Sequence, residues 1–291
     1  MRMPLLDAID IEILMHRDAH FGGNFDIMLE YYENDGIGVM YDFDIKRIKE
    51  LKEIQNKIGE NLALKFLSES AIERIVESQN VYKKLRDSYS APSNRTLALI
   101  SDLILSEEEE PEKEMAELIA NASESYKPLI RLIDSDNFYD PLFPGYGRSP
   151  MFVAICLSEI GNPDAIPHLF NAIGREDFEI DEEIIFALIS FGSAAKDFLL
   201  KRLITKPFSK DNEYAAIALS TFPLDEEIAI FSLGILFKED ALMQESLFPY
   251  LIYACEGLKK TEDRQIFCNL LKKEGLNDFL KNEMKSIIKS W

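Results

Sequence analysis

Two histidines four residues apart, His16 and His20, stand in the run Met15-His16-Arg17-Asp18-Ala19-His20-Phe21-Gly22-Gly23. On a helix that spacing places both imidazoles on one face, where they could share a metal ion. Asp18 falls on another side of a regular helix, so a third ligand must come from elsewhere. The chain's one other histidine is His168. A structural reading competes: histidines in a last helical turn sit near the free carbonyls, and Gly22 and Gly23 stop the helix.

Other reactive combinations are sparse. The triplet His16-Arg17-Asp18 also occurs in kinase catalytic loops, but no Gly-rich phosphate loop and no Asp-Phe-Gly accompany it. Cys156 and His168 lie on consecutive predicted helices, yet a thiolate nucleophile needs partial exposure, and Cys156 falls at a small, inward position. The densest unusual chemistry is residues 138–148, Phe-Tyr-Asp-Pro-Leu-Phe-Pro-Gly-Tyr-Gly-Arg. Phe138, Tyr139, Phe143, Tyr146 and Arg148 are the residue types that carry interface energy. They form either a partner-binding edge or a plug folded back between neighbouring helices.

These residues need a scaffold, and composition says which kind. The chain has 291 residues and is 47% hydrophobic, enough for a sizeable core. Its 32 basic and 52 acidic residues give a formal charge of −20. Nucleic acid and anionic membranes are bound chiefly through Lys and Arg, so both are poor partners for it. A basic protein suits the charge, although solubility alone also accounts for it. Cys156, Cys255 and Cys268 show no paired spacing, which favours buried thiols in a reducing compartment. The start of the chain lacks the apolar core of a signal peptide, and no apolar run reaches the ~20 residues of a membrane span. The expected location is cytoplasmic.

Apolar periodicity predicts helices almost throughout. Residues 4–20, 24–32 and 44–58 read as three helices, the second and third capped by Asn24 and Asp44. Residues 62–67 and 70–89 add a short and a long one. Ser90-Ala91-Pro92-Ser93-Asn94 is the clearest linker. It separates an N-terminal helical region, residues 1–90, from a second region, residues 95–291. Residues 97–105 are the next helix. The acidic run at 107–114 suits a helix start, where negative charge and Pro111 are both tolerated, and it could equally face a basic partner.

A repeat organises the second region. Cys156-Leu157-Ser158-Glu159-Ile160-Gly161 is followed 31 positions later by Ala187-Leu188-Ile189-Ser190-Phe191-Gly192. Another 31 positions on stands Ala218-Leu219-Ser220-Thr221-Phe222-Pro223. Ala254-Cys255 takes the same place 36 positions after Ala218. Each unit reads as helix, turn, helix, and one such hairpin cannot bury its apolar face alone. The pattern, and Cys156 to Gly174 (CLSEIGNPDAIPHLFNAIG) above all, resembles the HEAT-like repeats of the bilin-lyase type over residues 107–275. That resemblance implies an all-α, right-handed alpha-alpha superhelix, a HEAT-like solenoid, beside an additional N-terminal helical region that either extends it or forms a separate domain; the Lys-rich helix at 276–290 suits a terminal cap. Family members commonly bind protein segments on a concave helical ladder. Iron hydroxylases with such repeats carry paired His-Glu dipeptides, and this chain has none.

The expectation is therefore a non-enzymatic scaffold or adaptor that binds a protein partner through the solenoid groove and the 138–148 loop. No cofactor is implied. One alternative is a HEAT-like lyase or chaperone-type protein handling a small ligand, which the resemblance alone suggests. The other is a metal-binding helical protein using His16 and His20.

Overall fold

The computed structural model describes residues 6–89, 95–175, 178–238, 246–272 and 276–291, with backbone alone at 178 and 179. Among these residues it is all helical, with no strand. No helix among them is long and apolar enough to cross a membrane. The chain divides into two compact units, one of Met1–Ile160 with Arg175–Ile180, the other of Gly161–Gly174 with Asp181–Trp291. The expected linker, Ser90 to Asn94, lies outside the described residues.

In the first unit α1 (Ala8–His20) packs on α3 (Ile45–Ile58), α4 (Leu62–Phe66) and α5 (Glu69–Ser88), while α2 (Phe25–Glu33) packs on α3. Helix α1 starts at a reciprocal cap. The Asp10 amide donates to Asp7 Oδ1 at 2.9 Å and the Asp7 amide to Asp10 Oδ2 at 3.1 Å, so two amides without helical partners are satisfied. Asn24 and Asp44 cap α2 and α3 as their positions predict, and Gly59 ends α3 at φ 71°. Ile13, Leu14, Met28, Ile48 and Leu51 form the centre of one core cluster.

The same unit continues through α6 (Arg95–Ile104), α7 (Glu112–Ala120), α8 (Ala122–Ile133) and α9 (Ser149–Ile160). Here the packing alternates: α6 meets α7 and α8, α7 meets α9, and α8 meets α9. Pro111 occupies the N-cap of α7, with Glu112 and Glu114 in its first turn. The N-terminal helices and the first expected repeat thus share one compact unit.

The second unit holds α10 (Ile166–Ala172), the greater part of α11 (Phe178–Ile189), α12 (Ser193–Leu203), α13 (Lys210–Ser220), α14 (Glu226–Phe237), α15 (Phe248–Ala254), α16 (Thr261–Leu270) and α17 (Asp278–Ser290). Asn162 turns the chain into α10 by accepting the Asp164 amide at 3.0 Å. Helix α13 packs on α12 and α15, and α14 packs on α15 and α16. The repeat positions are packing positions: Leu188 and Ala218 are fully buried, as is Cys156 in the first unit. Trp291 donates its indole N–H to the Glu256 carbonyl at 3.1 Å, with Arg264 over its ring and Phe267 at its edge.

Candidate functional site

The first unit brings the α1 histidines and the aromatic loop to one place. His20 Nε2 lies 3.1 Å from the carbonyl of Pro141, a residue 121 positions along the chain. Its Nδ1 lies 2.8 Å from the hydroxyl of Tyr82 on α5. A carbonyl only accepts, so Nε2 carries the proton and Nδ1 accepts from Tyr82. His16, one turn earlier, lies with its ring centroid 5.3 Å from that of His20 and meets the edge of Phe43 at 5.1 Å.

Burial is the main force on both rings. It pushes His16 down to about 3, aided by His20 and Arg74. It pushes His20 down to about 4, against the opposing pull of the Pro141 carbonyl and Asp140. Both are neutral at pH 7. The metal reading needs a free nitrogen on each ring, and both nitrogens of His20 are engaged within the fold, with the Pro141 carbonyl and the Tyr82 hydroxyl. No group of three or more metal-ligating side chains occurs among the described residues.

Between the histidines stands Arg17, fully buried and fully engaged. Its Nε donates to Asp18 Oδ1 at 2.7 Å, Nη1 to Gln55 Oε1 at 2.8 Å and Nη2 to Asn61 Oδ1 at 2.9 Å. Its guanidinium lies 4.5 Å from the Phe25 ring centroid. Gln55 Oε1 and Asn61 Oδ1 also accept the amides of Leu62 and Ala63, so one buried cation fixes the start of α4. Nearby, Asp10 Oδ1 and Oδ2 each accept from Arg47 at 2.7 Å. Burial alone would raise the Asp10 carboxyl; the Arg47 bonds overcome it and hold the carboxyl below its usual range.

The loop before α9 folds inward. Tyr139 and Phe143 are 2% and 3% exposed, and Leu142 and Phe143 join Met15, Ala19, Ala71 and Ile75 in a second core cluster. Ser78 donates to the Leu142 carbonyl at 2.7 Å, Tyr139 donates to the Ile133 carbonyl at 2.8 Å, and Arg74 pairs with Asp140. Phe138, Tyr146 and Arg148 are part-buried. The aromatic row is thus turned toward the core, where each large ring removes apolar area from water worth roughly 1.5–3 kcal/mol.

Tyr146 is the strained member. Its φ is 55°, between Gly145 at 87° and Gly147 at 79°. Its ring centroid lies 4.8 Å from that of His20. Its ring also covers Gly38 so closely that a Cβ there would sit 2.4 Å from it, which is why that residue has no side chain. The Tyr146 ring centroid also lies 6.2 Å from that of Tyr31, and Tyr31 donates to Glu107 Oε2 at 3.0 Å. Arg148 lies over Phe152 and donates to the carbonyls of Glu108 and Glu109, so the acidic run is tied to the same loop. Burial raises the hydroxyls of Tyr31, Tyr82 and Tyr146, which keeps them protonated. These contacts hold the loop in place. A cleft of 360 Å³ opens beside His20 and Tyr82, with Lys83, Arg86 and Asp87 on its rim.

Two of the three thiols, Cys156 and Cys255, are buried. Burial raises Cys156 to about 12, and Cys255 is raised likewise. In the second unit an apolar void among Leu236, Phe248, Leu270 and Met284 holds about 10 Å³, against roughly 300–1,000 Å³ for a ligand pocket.

Helix α14 shows a different kind of surface. It is apolar on nearly every side, yet Ile230 and Phe231 are 41% and 38% exposed, and Gly234, one turn on, faces open space. Asp225 caps the helix through the amides of Glu227 and Ile228, and Lys196 bridges Asp225 and Glu227 at 3.1 and 2.7 Å. Sequence reasoning passes over this stripe because Ile228 to Phe237 reads as a return helix with an inward face. It also passes over Arg17, Tyr31, Gly38 and Tyr82, whose partners are distant in sequence. No protein-family model, no curated protein and no solved structure matches the chain.

Proposed function

We propose that the chain is a non-enzymatic scaffold, built as a right-handed α-solenoid of HEAT-like type, that binds a protein partner on an exposed helix face. The observation that carries this is the apolar stripe of α14, Ile230 and Phe231 with the open step at Gly234, which is exposed among the described residues. A helix apolar on all sides normally lies buried, and a contiguous apolar surface marks an interaction site. The alternation of contacts, in which α13 reaches α15 and α14 reaches α16, supports a stacked repeat. The fully engaged His20 and the raised thiols support a binding role over catalysis. The aromatic loop serves this role indirectly, as a brace within the first unit.

The test is affinity capture with the wild-type chain, identification of the captured protein, and titration of that purified protein. Phe231→Glu should weaken its binding at least tenfold while the helical circular dichroism stays unchanged. Equal affinity for the wild type and Phe231→Glu would overturn the α14 surface.

A further inference from the structure

The first unit carries a second helix face exposed among the described residues, on α5, and its chemistry is more specific. Ala71, Ile75 and Ser78 turn inward, while Ile72 and Val76 stand outward at 38% and 48% exposure. They are four apart and form an apolar row beside a second row of Glu69, Glu73 and Glu77 at the same spacing. These residues and Asn80, all on α5, form one open, shallow surface. Like charges four apart on a helix destabilise it, and a cation between them would relieve that. Arg74 is the one basic residue in this stretch, and it pairs with Asp140. Glu77 accepts from Asn137 at 3.1 Å, and no cation among the described residues lies within ion-pair distance of Glu69, Glu73 or Glu77.

We infer that this face of α5 docks a basic amphipathic helix of a partner protein, an inference that rests on the protein-binding reading above. The apolar row receives the partner's apolar side chains. The glutamate row, rising about 6 Å per step, matches Lys or Arg residues placed four apart on the incoming helix. A formal charge of −20 steers such a partner inward. A second copy of this chain is the rival occupant, because Lys281, Lys285 and Lys289 on α17 also stand four apart.

The probe is a synthetic helical peptide with Lys at four-residue spacing beside a Leu row, titrated by fluorescence anisotropy into the full chain. The control is a scrambled peptide of the same composition. The ordered peptide should bind at least tenfold more tightly than the scrambled one. The triple variant Glu69→Gln, Glu73→Gln, Glu77→Gln should lose at least tenfold and flatten the salt dependence, and Val76→Asp should lose binding with helicity intact. Equal binding of both peptides, or no loss in the triple variant, would overturn the proposal. So would salt-sensitive self-association that Glu73→Lys abolishes and Lys285→Glu restores, which assigns the face to a second copy. Phe231→Glu should leave peptide binding unchanged, so failure at α14 and failure at α5 are read separately.

Discussion

The two compact units are held by different means. In the first, polar groups distant in sequence meet inside the fold: Arg17 reaches Gln55 and Asn61, Arg47 reaches Asp10, and His20 reaches Tyr82 and Pro141. In the second, small and branched apolar residues at repeat positions, such as Leu188, Ala218 and Leu219, bring neighbouring helices together. The first design is specific and costly to break, since an orphaned buried charge loses its whole solvation. The second is tolerant in chemistry and intolerant in volume.

Substitutions can break this contrast, beginning with the largest expected effect. Arg17→Ala leaves Asp18 without its cation, takes one bond each from Gln55 and Asn61 and removes the cation over Phe25, so it should cost about 3–5 kcal/mol in urea denaturation. A loss below about 1 kcal/mol would mean that the buried cation is not what holds α1 to α4. Leu188→Ala, at a fully buried repeat position, should cost about 2–5 kcal/mol through the cavity it leaves. Arg17→Met should recover part of the alanine loss because it refills volume without a charge, whereas Leu188→Asn should be worse than Leu188→Ala. If those two pairs rank alike, the units do not differ as described.

Gly38→Ala comes next. The new Cβ meets the Tyr146 ring, and overpacking of this kind costs about 1–3 kcal/mol. Its damage should fall on the loop and α2, which hydrogen exchange resolves by peptide. Protection lost evenly along the chain would argue against a local role for Tyr146.

Acid gives the gentlest handle. His20 and His16 are depressed in the fold to about 4 and about 3, from 6.5. The unfolded chain therefore binds more protons below pH 6.5. Stability is intact above that pH and falls as pH drops through 6.5 toward 4 and 3, by up to about 1.4 kcal/mol per pH unit for each ring. At pH 5, α1, α5 and the loop should lose exchange protection before α12 to α14. His20→Gln should flatten the slope. A simultaneous loss in both units would show that the acid response lies elsewhere.

The same contrast explains what was legible in the sequence. Repeat spacing is local, so Cys156, Ala187 and Ala218 announce their burial, and Asn24 and Asp44 announce their helix starts. The first helix, expected over residues 4–20, is described as Ala8–His20, because the Asp7 and Asp10 carboxylates supply its cap. The inward turn of Tyr139 and Phe143 was open, since residues 138–148 have no period and their partners lie far back in the chain. His20 and Tyr82 are 62 positions apart. Nothing between them signals the meeting, and a lone tyrosine on an apolar helix face reads as packing. The exposed stripe of α14 was hidden for the opposite reason: it looks like any buried return helix.

The lone tryptophan adds a practical consequence. Trp291 is seated on Glu256, Arg264 and Phe267, all in the second unit. Its emission is therefore a built-in optical reporter on one half of the molecule and is blind to the other. A denaturation curve followed by fluorescence records the repeat-rich half, while far-ultraviolet dichroism records both, so the gap between the two traces measures how independently the halves melt.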